Sequence, residues 1–157
     1  MGDNVKVIIT AGGTGGHIYP ALSILNKIKE KEPNSEFIYI GTHNRMEKDI
    51  VPTYNIKYIP LEIYGLSKKN IKRDIKNIFL IKKAYKKCLD IMMDFKPDIV
   101  IGVGGYVTYP VILAAHKLGI KTFIHEQNSI PGKSNKILSR IVDGVGVSFK
   151  DSSVSDL

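Results

Sequence analysis

The stretch that decides the fold is VKVIITAGGTGGHIYP, residues 5–20. Its first six residues are rich in β-branched side chains, which favours a buried strand. Four glycines then flank Thr14, and residues 18–32 carry apolar side chains at helical spacing. A strand that leads through a glycine loop into a helix is the first unit of a sheet in which strands and helices alternate.

The same alternation continues along the chain. We predict further strands at 36–41, 56–61, 98–102, 121–125 and 143–148, and helices at 45–53, 67–95, 107–118 and 131–141. Repeated units of this kind predict an α/β fold, a Rossmann-like three-layer domain with a parallel sheet in the order 3-2-1-4-5-6. Ligands of such sheets bind beyond the carboxyl ends of the strands, at the switch point between strands 1 and 4.

The composition fits one globular domain, with 43% hydrophobic and 24% charged residues among 157. Between Lys68 and Lys87, nine basic residues are opposed only by Asp74, so this segment accounts for the net charge of +8. A surface this basic is expected to meet an anionic partner. The single Cys88 excludes an intramolecular disulfide and favours a reducing compartment.

Two glycine loops are expected to face each other across the switch point. The first, AGGTGGHIYP at 11–20, combines glycines with a helix N-terminus, which suits a phosphate group. It is not the dinucleotide fingerprint, because Ile18 stands where the third glycine is needed, and it lacks the Gly-Lys-Ser/Thr of a P-loop. The second, GVGGYVTYP at 102–110, repeats a glycine pair shortly before Tyr-Pro.

A third loop, HEQNSIPGKSNK at 125–136, concentrates polar side chains at the same edge of the sheet. As a group they suit a ligand rich in hydroxyl groups, such as a sugar. The alternative is that they cap the helix near 131 and tie loops together. No metal site is predicted, because the four histidines show no ligand spacing and the one cysteine does not pair with them.

These three motifs, in this order, resemble the MurG family of GT-B glycosyltransferases from about residue 5 to residue 150. The resemblance implies that residues 1–157 are the N-terminal, acceptor-binding and membrane-facing domain of a two-domain enzyme, without its C-terminal donor-binding domain. The implied reaction transfers N-acetylglucosamine (GlcNAc) from UDP-GlcNAc to the C4 hydroxyl of N-acetylmuramic acid (MurNAc), with inversion. The acceptor is lipid I, the undecaprenyl-diphosphate-linked MurNAc-pentapeptide, and the product, lipid II, serves peptidoglycan synthesis. No cofactor is implied, and this chain alone is expected to be inactive.

The resemblance also implies roles for individual residues. His17 matches the proposed base that deprotonates the acceptor hydroxyl, with Glu126 as the alternative base and a purely structural His17 as the other interpretation. The positions that match donor contacts are Thr14, Gly15, Gly16 and Asn128. The positions expected at the acceptor diphosphate are Gly12, Gly13, Gly104, Gly105 and Tyr106. Gln127 and Asn135 match further polar residues of the cleft.

The basic segment matches the family's membrane-binding patch at Ile75, Phe79 and Tyr85, with Lys72 and Arg73 beside them. Apolar insertion combined with attraction to anionic lipid would hold the protein at the cytoplasmic face of the bacterial membrane. The alternative is that these apolar residues face the sheet.

Two other classes of function remain as alternatives. One is a Rossmann module that binds a nucleotide, although no acidic residue ends strand 2, where Gly41–Thr42–His43 stand. The other is a basic module that binds an anionic surface without catalysis. No nucleic acid is expected as a partner, because the basic segment lacks a known nucleic-acid-binding fold.

Overall fold

The computed structural model describes residues 4–67, 69–150 and 157. Six parallel strands form one sheet in the order β3-β2-β1-β4-β5-β6, which confirms the predicted fold class and strand order. The strands are β1 (Lys6–Thr10), β2 (Glu36–Thr42), β3 (Lys57–Leu61), β4 (Ile99–Gly102), β5 (Lys121–Glu126) and β6 (Gly144–Val147). The helices are α1 (Gly15–Lys31), α2 (Glu47–Ile50), α3 (Ile71–Phe95), α4 (Thr108–Lys117) and α5 (Lys133–Leu138), and a short 3-10 helix spans Val51–Tyr54.

The helix boundaries differ more from the predictions than the strand boundaries do. The first helix begins at Gly15, inside the glycine loop, rather than at residue 18. The third begins at Ile71 rather than at 67, because the Asn70 side chain accepts a hydrogen bond from the Arg73 amide and so caps the helix. The segment predicted as one helix at 45–53 divides into α2 and the 3-10 helix, and the last helix covers only 133–138.

The sheet buries a core on each face because successive strand residues point to opposite sides. Ile8 and Val100 lie on the face covered by α3, α4 and α5. Val7 and Ile101 lie on the face covered by α1. Such fully buried aliphatic side chains each contribute about 1.5–3 kcal/mol to folding. The two layers leave the carboxyl edge of the sheet free for the loops.

The long helix α3 buries a narrow stripe and exposes a wide basic face. Its fully buried residues are Asn77, Ala84, Cys88 and Met92. Asn77 anchors the preceding loop, because its side chain accepts from the Tyr64 amide at 2.8 Å and donates to the Tyr64 carbonyl at 2.5 Å. None of the helices in the described ranges is long and apolar enough to cross a membrane.

Candidate active site between the glycine loops

The loops after β1 and β4 contact each other at the carboxyl edge of the sheet. The Gly12 amide donates to the Gly104 carbonyl at 3.2 Å. Gly104 and Gly105 have φ angles of 116° and 90°, which only glycine adopts readily. A side chain at Gly105 would collide with the Gly12 carbonyl oxygen. The neighbouring strands β1 and β4 therefore bring the two glycine loops together at the predicted switch point.

His17 lies between the two loops. Its Nδ1 is 3.0 Å from the Gly12 carbonyl oxygen and 3.4 Å from Thr14 Oγ1. Because a carbonyl oxygen only accepts hydrogen bonds, this contact places a proton on Nδ1, so that the lone pair of a neutral ring would be on Nε2. That nitrogen lies against Gly104, where a Cβ would be 2.8 Å from it.

His17 faces a cavity of about 290 Å³. The cavity joins the second and third loops, and its other lining residues are Gly104, Gly105, Tyr106, Glu126, Gly132, Lys133, Ser134 and Asn135. Two of these residues, Lys133 and Ser134, lie inside the third motif but are not among the predicted site residues. The remaining predicted positions lie outside this lining, and among them Thr14 and Gly16 are exposed at the start of α1.

The amides of the two glycine loops differ in their availability. Those of Gly12 and Gly13 are already engaged, by the Gly104 carbonyl and by the Glu47 carboxylate respectively. Among the described residues, the amides of residues 104–106 have no such acceptor. The amides of residues 104–106 are therefore available to accept an anion as a ligand, whereas those of Gly12 and Gly13 already have protein acceptors.

Glu126 is 1% exposed and its carboxylate is surrounded by donors. It accepts from the Asn128 amide at 2.9 Å, from the Asn128 side chain at 3.0 Å, from the Gly132 amide at 3.0 Å and from the Asn135 side chain at 2.8 Å. Burial alone would raise the pKa of Glu126, but these hydrogen bonds lower it below its ordinary value. The contacts favour the role of tying the third loop together over that of an alternative base.

Other polar groups of the third loop are buried without partners. Asn135 Oδ1, His125 Nδ1 and both polar atoms of the Gln127 amide find no hydrogen-bond partner among the described residues. His125 Nε2 lies 3.4 Å from Ser148 Oγ, beyond the end of β6. Within the described ranges, no three metal-ligating side chains come together.

Glu47 is not among the predicted site residues, yet it contacts the first loop. It is fully buried, and its Oε1 accepts from the Thr42 amide at 3.1 Å and from the Thr42 hydroxyl at 2.5 Å. Its Oε2 accepts from the Gly13 amide at 3.4 Å. A glutamate in the first turn of a short helix is ordinary, so nothing in the sequence marks this residue.

The predicted membrane patch is only partly a single surface. Ile75 and Phe79 are 53% and 67% exposed on α3, whereas Tyr85 is half-buried against the core. Lys72 and Arg73 are exposed beside them. Lys68, which belongs to the same basic segment, lies outside the described residues.

Residues 7–147 match the glycosyltransferase family 28 N-terminal domain. The chain is 50% identical to the UDP-N-acetylglucosamine–N-acetylmuramyl-(pentapeptide) pyrophosphoryl-undecaprenol N-acetylglucosamine transferase of Alkaliphilus oremlandii. The 149 aligned residues cover 94% of this chain and 40% of that protein. The chain is 46% identical over 147 residues to the Bacillus subtilis protein of the same name, again covering 94% and 40%.

Solved structures agree with these sequence matches. The crystal structure of Acinetobacter baumannii MurG superposes with a TM-score of 0.83 at 34% identity, covering 94% of this chain and 43% of that one. A UDP-GlcNAc 2-epimerase from Methanocaldococcus jannaschii has a TM-score of 0.66 at 18% identity over 93% of this chain and 40% of its own, which shows the fold alone. The chain spans about 40% of the length of the curated relatives it matches. The resemblance to the MurG family is thereby confirmed, and the chain belongs to glycosyltransferase family 28, whose N-terminal domain it carries.

Proposed function

We propose that this chain is the acceptor-binding half of an inverting transferase that moves GlcNAc from UDP-GlcNAc to the C4 hydroxyl of MurNAc in lipid I. The names of the relatives contain both substrates. The observation that carries the proposal is the position of His17 between the two glycine loops, with Nδ1 at the Gly12 carbonyl and Nε2 against Gly104, beside a cavity of about 290 Å³.

In this proposal the second glycine loop binds the acceptor diphosphate. The amides of residues 104–106 lack protein acceptors within the described part of the chain, and the absence of side chains at Gly104 and Gly105 lets a phosphate approach the backbone. Lys133, which also lines the cavity, adds a positive charge. The positions proposed to contact the donor lie outside this lining; they are Thr14, Gly15, Gly16 and Asn128.

The acceptor hydroxyl attacks C1 of GlcNAc while the bond from C1 to the UDP oxygen breaks, which inverts the anomeric centre. The hydroxyl proton passes to His17 Nε2, which has the lone pair that a general base needs. Stabilisation of the departing diphosphate requires further donors or positive charge, which we assign to the C-terminal domain of the complete enzyme.

Calorimetry on this chain tests the proposal, with UDP-GlcNAc and a soluble lipid I analogue titrated separately. We expect binding of the acceptor analogue without appreciable binding of the donor. Gly105→Ala should abolish acceptor binding, because the new methyl group would collide with the Gly12 carbonyl. Gly119→Ala is the matched control, since Gly119 also has a positive φ but lies in open space after α4. Binding of UDP-GlcNAc alone, or of neither ligand, would contradict the proposal.

The exposed face of α3 supports a second part of the proposal, which is peripheral docking on anionic lipid at the cytoplasmic face of the membrane. Phe79 and Ile75 project from this face among lysines, and Lys82 Nζ lies 6.0 Å from the centre of the Phe79 ring. Apolar side chains that insert while neighbouring cations attract phosphate headgroups are typical of proteins that lie on a bilayer. Tyr85, being half-buried, is expected to support this face from beneath.

A further inference from the structure

The peptide unit between Gly12 and Gly13 is held from both sides by side chains. Its carbonyl oxygen, on Gly12, accepts from His17 Nδ1 at 3.0 Å. Its amide, on Gly13, donates to Glu47 Oε2 at 3.4 Å. The carbonyl and amide of one trans peptide point in opposite directions within one plane. Glu47 and His17 are therefore linked through a single peptide unit, although they do not contact each other.

Glu47 is a fully buried carboxylate that has no basic side chain beside it among the described residues. Its hydrogen-bond donors within those residues are Thr42 and Gly13. Burial, followed by the negative charge of Glu47, raises the pKa of both Tyr39 and Tyr58. A buried carboxylate without a counter-ion is costly, and a neutral amide would suffice merely to fill this space.

Gly12 is shaped to admit this carboxylate. A Cβ at Gly12 would lie 2.7 Å from Glu47 Oε1 and 3.0 Å from a methyl group of Val107. The absence of a side chain at this position therefore leaves room for the Glu47 carboxylate. The first glycine loop is built around an acidic residue as well as for a ligand.

We propose that Glu47 is a positioning residue that fixes the orientation and tautomer of His17 through the Gly12–Gly13 peptide. The carboxylate orients this peptide and polarises it, which makes the Gly12 carbonyl a stronger acceptor for the Nδ1 proton. With the proton held on Nδ1, the lone pair of the neutral ring is on Nε2, which lies against Gly104 at the lining of the cavity. The inference rests on the proposed function, in which that lone pair accepts the proton of the acceptor hydroxyl.

Nitrogen-15 NMR of the histidine rings in this chain tests the inference without any substrate. In the wild-type protein we expect His17 to show a protonated Nδ1 and an unprotonated Nε2. Glu47→Gln keeps the shape of the side chain but removes its charge, and we expect loss of that signature in favour of a mixture of tautomers. A wild-type His17 protonated on Nε2, or ring nitrogen shifts that Glu47→Gln leaves unchanged, would overturn the inference.

Thr42→Val is the matched control. It removes the hydroxyl that donates to Glu47 Oε1 but leaves the Thr42 backbone amide and the Gly13 contact in place, so the His17 tautomer should stay the same. If Glu47→Gln does not fold, the inference is tested in the wild-type protein, by the tautomer of His17 and by the hydrogen exchange of the Gly13 amide. Fast exchange of that amide in the folded protein would overturn the inference.

Kinetics of the complete enzyme add a readout that separates positioning from folding. We expect Glu47→Gln to lower kcat at least about tenfold with little change in the KM for the acceptor, because general-base catalysis contributes about 10²–10⁴-fold. An equal loss in Thr42→Val would overturn the inference by assigning the effect to local packing. Because the NMR signature needs no ligand, failure of acceptor binding in calorimetry would count against the proposed function alone.

Discussion

Glu126 and Glu47 are both buried carboxylates, and their hydrogen bonds stabilise different parts of the protein. Glu126 accepts from three residues that surround it in the third loop, so it holds residues 125–135 in one conformation. Glu47 reaches across 34 positions of sequence to the Gly13 amide. The contacts of Glu126 are local, so their loss should lower stability. The contact of Glu47 links two loops, so its loss should change the geometry of the site.

Glu126→Gln should lower the free energy of unfolding by about 1.5–3 kcal/mol near neutral pH, the usual contribution of a hydrogen bond to a charged group. The folded-state pKa of Glu126 is lowered below the ordinary value of 4.5. Its stabilisation is therefore fully present above the unfolded-state pKa, and it is lost as the pH falls through the folded-state pKa. Urea unfolding of both proteins across the acidic range should show the difference shrinking.

Glu36→Gln provides the control for that experiment. Glu36 is exposed at the start of β2, so the same chemical change there should have little effect at any pH. A loss of stability in Glu126→Gln that is independent of pH would contradict the role assigned to its charge. Unchanged stability combined with lost transfer in the complete enzyme would instead restore Glu126 as the alternative base.

Helix α3 packs into the core with one face and exposes a basic surface on the other. Ala84, Cys88 and Met92 pack into the core, while the lysines point outward. The one acidic residue in the basic segment, Asp74, accepts from the Ser67 amide at 2.9 Å and so holds the preceding loop. The acid that would weaken the positive face is thus engaged in local structure, and the cations beside Phe79 dominate that surface.

Reversing two charges on α3 should weaken binding to anionic vesicles. Each basic residue near such a surface contributes about 1 kcal/mol, so Lys72→Glu combined with Arg73→Glu should reduce binding at least about tenfold. Sedimentation with vesicles that contain phosphatidylglycerol measures this directly, and Phe79→Ser should weaken binding by removing the inserted ring. Added salt should weaken the wild-type binding, because the charges involved are exposed.

The control for vesicle binding carries the same change in net charge on the opposite face of the sheet. Lys31→Glu with Lys48→Glu alters exposed residues of α1 and α2, which pack on the other face of the sheet from α3. This double variant should bind vesicles nearly as well as the wild type. Equal losses in both double variants would mean that net charge alone attracts the protein, and unchanged binding in both would contradict docking through α3.

At the scale of the whole molecule, local pattern was enough to predict the sheet and the meeting of the two glycine loops. Strand periodicity and short connections determine where each loop emerges, and the order of strands then places residues 11–17 beside 102–106. The contacts within the site were harder to predict from the sequence. The burial of Tyr85 and the contact of Glu47 with Gly13 depend on packing between segments distant in sequence. The hydrogen bonds to Glu126 are local, but they depend on the conformation of a loop that has no regular periodicity.

The chain as a whole should bind the acceptor and yet release no UDP from UDP-GlcNAc. It spans about 40% of the length of its curated relatives, and its cavity provides a base but few groups to stabilise a departing diphosphate. Loss of even one preorganised donor to developing charge costs about 10²–10³-fold in rate, and the missing groups should act together. A coupled assay of UDP release, with a full-length relative such as the Bacillus subtilis enzyme as positive control, checks this. Transfer by the 157 residues alone would contradict this prediction, because it would mean that Thr14 and Gly16, at the exposed start of α1, suffice to bind the donor productively.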